Sequence, residues 1–131
     1  MSDAKKFISK WHSAIKDHDS SGLDILLRDD VTFFSPVVFK PIEGKQLVLL
    51  YLQAAYLSFN MSKFKYIKEI HQNANSILEF ETFIDDIAVN GIDMIEWDEA
   101  GKIITFKVMI RPLKAINKVH EKMVDSLNSF N

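Results

Sequence analysis

The chain has 131 residues, no cysteine and a formal net charge of −2, from 16 Lys and Arg against 18 Asp and Glu. That length fits one domain over residues 1–131 with a core large enough to need no cross-links, and the missing thiols exclude disulfides, thiolate metal sites and cysteine nucleophiles. The charges are interspersed and the N-terminus carries neither a signal-peptide core nor a membrane-length apolar run, so the expectation is a soluble, cytoplasmic protein that binds neither nucleic acid nor membrane.

Phe7, Ile8, Trp11, Ala14 and Ile15 recur at helical spacing and predict an opening helix with one buried stripe, Asp3 favouring its N-terminal dipole. The polar break Asp17 to Gly22 supplies N-caps for a short second helix carrying Leu23, Leu26 and Leu27, which Asp29-Asp30 ends. Val31 to Ser35 is β-branched and aromatic and reads as a short strand that Pro36 stops. From Lys45 to Asn60 the apolar residues cover more than one stripe, which predicts a third helix buried on two sides, in the mouth of the sheet.

After Met61 the pattern changes to alternation. Strands are expected near 63–71, 77–84, 87–97 and 102–110, joined by turns short enough to force an antiparallel meander. Gly101, three residues after Asp98, marks the last turn as a type I turn closed by a left-handed residue. Arg111-Pro112 stops the sheet, and Leu113, Ile116, His120, Met123, Leu127 and Phe130 return to helical spacing. Helices followed by a long meander predict an α+β fold, with helices packed on one face of a curved sheet.

The run Asp30-Val31-Thr32-Phe33-Phe34-Ser35-Pro36-Val37, then Gly44 before a helix, then Gly91 to Ile103 resembles the nuclear transport factor 2-like superfamily over about residues 4–112. Its ketosteroid isomerases and SnoaL-type polyketide cyclases are the nearer likenesses. The resemblance implies a cone-like curved antiparallel sheet of cystatin-like topology, with three helices from the N-terminal half on its concave face. The closing helix is an addition to that pattern. It also implies an apolar pocket for a small organic molecule, and acid–base isomerisation, cyclisation or hydration of an apolar carbonyl compound. A non-catalytic binder and a dimeric interaction module are the alternatives. Ketosteroid isomerases place a tyrosine on the first helix, a general-base aspartate before the first strand's proline and a protonated aspartate in the strand before the last hairpin; those positions fall on Trp11, Ser35 and Asp93. SnoaL-type cyclases rely mainly on one acidic residue where Asp93 stands.

Alternation puts Asp93, Ile95 and Trp97 on one strand face, and the matching family positions point into the pocket. Asp93 is the candidate catalytic residue; the alternative is that it braces backbone N–H groups near Gly91. Trp11 offers one N–H donor and is either a pocket residue or a core anchor. Ser35 either meets a ligand oxygen or closes a local turn. Tyr51, Phe106, Val108 and Ile110 share the phase of pocket-wall positions. Glu79 and Glu81 read as a solvated or dimer-facing row, and Lys107, Arg111, Lys114 and Lys118 as a solvated basic face. The histidines 12, 18, 71 and 120 lack metal-ligand spacing and no nucleotide or phosphate motif occurs, so no metal or cofactor is expected. Apolar residues on both phases of the strands predict a homodimer through the convex sheet face.

Overall fold

The structure, a computed structural model, describes residues 4–129; Asp3 and Phe130 lie outside them. In chain order the elements are α1 (Ala4–Lys16), α2 (Ser20–Leu26), β1 (Leu27–Phe34), β2 (Ile42–Glu43), α3 (Lys45–Ser58), β3 (Lys65–Gln72), β4 (Asn75–Ile84), β5 (Ile87–Trp97), β6 (Ile103–Arg111) and α4 (Leu113–Ser129). They form the α+β cone: an open sheet in the order β2-β1-β6-β5-β4-β3 with helices on its concave side.

Strands β3 to β6 make the expected antiparallel meander, with Leu78 opposite Asp93 and Asp93 opposite Val108. The sheet as a whole is mixed, because β1 joins β6 in parallel, Phe33 beside Phe106. Phe33 is buried beside Val31 and both face the core, so β1 lies inside the sheet and only the two-residue β2 covers its outer edge. Strand β1 also starts at Leu27, where the leucine spacing had extended the second helix; Leu27 is buried in the same core from an extended backbone.

The alternation fixes which face of the sheet is inside. Ser76, Leu78, Phe80, Thr82 and Ile84 of β4 are buried, as are Val89, Gly91, Asp93, Ile95 and Trp97 of β5, and the residues between them point outward. Bulges in β3 between Tyr66 and Lys68 and in β6 opposite Glu96 and Trp97 add the local twist that curls the sheet. Gly91 makes room inside: it pairs with Phe80, whose ring lies where a Cβ would stand. The last hairpin closes as expected, with Gly101 at φ +85° and Asp98 Oδ1 accepting the N–H groups of Ala100 and Lys102.

Helices α1 and α2 cover one half of the concave face around Trp11, Phe33, Trp97 and Phe106. Helix α4 covers the other half. Its stripe Ala115, Val119 and Met123, spaced by four, is buried against α3 and the inner faces of β4, β5 and β6. The mouth of the cone is therefore filled by the helix that the family resemblance did not require.

Candidate functional site

Asp93 is placed by β5 in the phase of its apolar neighbours Ile95 and Val89, so the backbone forces a carboxyl into the concave interior, where it is 3% exposed. A buried carboxylate must find donors or hold its proton. Tyr66 Oη donates to Asp93 Oδ2 at 2.6 Å, and Trp11 Nε1 donates to Tyr66 Oη at 3.0 Å. The result is a three-member chain from α1 through β3 to β5, each hydroxyl or N–H used once. Asp93 Oδ1 has no hydrogen-bond partner among the described residues. Burial pushes the Asp93 carboxyl up from 3.8 to about 7, against the opposing pull of the Tyr66 hydrogen bond. Burial, and then the proximity of Asp93, holds the hydroxyls of Tyr66 and Tyr56 well above the ordinary tyrosine range, so both stay protonated donors at neutral pH.

Asp93 borders a small cavity with Phe106, Val108 and Ile110 of β6, Tyr56 of α3 and Met123 of α4. Its volume is about 20 Å³, space for about one water molecule. Withdrawing α4 would return Val119 and Met123 to water at roughly 1.5–3 kcal/mol each.

The remaining sequence candidates are spread around this centre. Trp11 reaches it through Tyr66. Tyr51 packs its ring on Phe33, and Ile95 is buried in the core. Trp97 donates Nε1 to Ser76 Oγ at 3.0 Å and packs on Phe7. The Ser35 hydroxyl accepts the Val37 N–H at 3.2 Å and borders a separate surface hollow with Phe39 and Lys107. Glu79 takes an N–H from Asn90 on the outer face, and Glu81 faces Lys65. Lys118 is paired with Asp85 and Glu121, while Lys107 lies over the Phe34 ring, so these two basic residues do not converge on the site.

Tyr66 carries the central hydroxyl, yet alternation could not have placed it. The bulge after Tyr66 makes the inward residues of β3 Tyr66, Glu69 and His71, an irregular spacing. The same strand builds a second polar chain: His12 and His71 each bring a ring nitrogen within 2.9 Å of Glu69, and His71 Nδ1 lies 2.8 Å from Ser76 Oγ. Serine, histidine and glutamate are the residue types of a hydrolytic triad, but Ser76 is fully buried and accepts from Trp97, so it is not placed to attack a substrate.

A steroid delta-isomerase from Pseudomonas aeruginosa shares 32% sequence identity over 99% of this chain and 95% of its own, with a TM-score of 0.92. The chain belongs to the nuclear transport factor 2-like superfamily. An uncharacterized protein conserved in bacteria with a cystatin-like fold, from Silicibacter pomeroyi, is 26% identical over 91% of this chain and 83% of its own, TM-score 0.85. A protein named as a SnoaL-like polyketide cyclase from Shewanella denitrificans shares the fold at 14% identity, covering 96% and 97% of the two chains, TM-score 0.65. No protein-family model matches the sequence, and no curated protein does. The hydroxyl beside the acid comes from Tyr66 of β3, and α1 contributes the Trp11 N–H that donates to it.

Proposed function

We propose that the protein is a small-molecule acid–base enzyme that isomerises an apolar carbonyl compound, with Asp93 as its one proton carrier. The observation that carries this reading is the Asp93 carboxyl itself, enclosed in an apolar interior that pushes it up to about 7, with Oδ2 held by Tyr66 and no hydrogen bond to Oδ1 among the described residues. A carboxyl half ionised at neutral pH both takes and returns a proton, which suits general acid–base work. For a β,γ-unsaturated ketone, Asp93 would remove the proton between the carbonyl and the double bond and return it to the γ-carbon. The product is the conjugated isomer, with no other reactant. Tyr66 keeps the carboxylate oriented, and the Tyr56 hydroxyl is a donor for the enolate oxygen.

The 32% identity to a steroid delta-isomerase supports this class of reaction. A non-catalytic ligand binder is the second reading. It is favoured by Ser35, whose hydroxyl is engaged by Val37 where a family base would stand, and by the lack of a second carboxylate in the cavity wall among the described residues. In either case the protein is proposed to act as a homodimer through its convex sheet face.

The test is conversion of a small cyclic β,γ-unsaturated ketone to its conjugated isomer, followed by ultraviolet absorbance. The parent should turn over with a rate that rises through a pKa near 7, and Asp93→Asn should lose at least a hundredfold. Equal rates in the two proteins would leave the binder reading in place.

A further inference from the structure

Two hollows lie outside the cone on either side of Ile15 and Met61. One, of about 300 Å³, runs between the end of α1, α2 and the second half of α3, with Leu23, Leu57, Gln53 and Tyr56 in its wall. The other, of about 290 Å³, lies between α1 and the start of β3 and reaches Tyr66. The two tyrosines whose hydroxyls feel Asp93 thus each line one of these outer hollows. Among the described residues Tyr56 alone lines both the first hollow and the inner cavity. Its hydroxyl makes no hydrogen bond among the described residues, and its ring packs on Trp11 and Phe64.

We infer that a small apolar molecule bearing one hydroxyl or carbonyl oxygen binds in the cleft between α1–α2 and α3, its oxygen on Tyr56, and that Asp93 is reached from this side rather than through the α4 mouth. The two routes differ in what must move. Opening the mouth unpacks Ala115, Val119 and Met123, which are 0%, 1% and 3% exposed. The cleft side turns on Tyr56, the residue that among the described ones borders both the cleft and the inner cavity. The cleft also has the size and lining of a small-molecule site: aliphatic residues with a few polar ones, His18, Ser20, Gln53 and Tyr56. A peptide or a second chain would need a longer groove than a hollow of about 300 Å³ offers.

The inference rests on Asp93 as the reacting group, and the experiment separates the two. The probe is 2-naphthol, an apolar bicycle with one hydroxyl, followed by amide chemical shifts in the full-length protein. The parent should bind saturably, with the largest shifts at Gln53, Tyr56 and Leu57. Leu57→Trp, at an exposed rim position that leaves the fold intact, should weaken binding at least tenfold. Tyr56→Phe should weaken it three- to tenfold, and Met123→Ala, which opens the inner cavity, should change it less than twofold. Absence of saturable binding, Leu57→Trp binding like the parent, or tighter binding to Met123→Ala with shifts on α4 would each overturn the cleft route. Cleft binding that persists in an Asp93→Asn protein of unchanged isomerase rate would uphold the site while refuting the role of Asp93.

Discussion

Asp93 stands where the phase of β5 calls for an apolar side chain, and its cost to the fold is set by protonation. Unfolded, the carboxyl titrates near 3.8; folded, near 7. Between those values the native state keeps a proton that the unfolded chain has released, so stability falls as pH rises across this window and levels off above it. At ~1.4 kcal/mol per unit the whole span is worth about 4 kcal/mol. Chemical denaturation at pH 5 and pH 8 should therefore show the parent losing stability, while Asp93→Asn, which cannot ionise, lacks that loss and gains on the parent as pH rises. Parallel pH profiles would remove the raised titration from the account. Asp93 was legible in the sequence because alternation in β5 runs unbroken through it. Tyr66 was not, since a bulge shifts β3 by one residue, and no periodicity argument survives an uncounted insertion.

At the scale of elements, the pairing of β4 with β5 decides how tightly the site is lined. A Cβ on Gly91 would stand 2.4 Å from the Phe80 ring and 2.8 Å from the Met109 carbonyl. Neither is free to move: Phe80 is stacked on Phe64 at 5.0 Å, and the Met109 carbonyl belongs to the neighbouring strand. Gly91→Ala should cost about 1–3 kcal/mol by overpacking, seen as a lower melting temperature; a variant as stable as the parent would mean that the sheet is looser here than described. The helices and the Asp98–Gly101 hairpin were readable because their signals are local, in spacing and in turn chemistry. The parallel pairing of β1 with β6 was not, since it joins residues about seventy positions apart. The depth of α4 in the cone was missed for a related reason: an amphipathic stripe says that a face is buried, not what it is buried against.

At the scale of the molecule, helices close the concave face and leave the convex one bare. Ile70, Ile77 and Met94 form one row across β3, β4 and β5, with Ile92 and Met109 beside them; Ile70 is 57% and Met109 50% exposed. A row of that kind on an otherwise polar sheet fits a second copy of the chain. Sedimentation at tens of micromolar should give a dimer for the parent and a monomer for Met109→Lys, whose new charge costs little on an exposed monomer face; a monomeric parent would end the proposal. Inside, the closed cone buries the carboxyl away from bulk solvent, and that burial turns an ordinary aspartate into a neutral-pH acid. The most direct test is the pH titration of the Asp93 side-chain carboxyl carbon by nuclear magnetic resonance, in the parent and in Tyr66→Phe. The account predicts a midpoint near 7 in the parent and a higher one when the Tyr66 hydroxyl is removed; a midpoint near 4, unmoved by Tyr66→Phe, would contradict it.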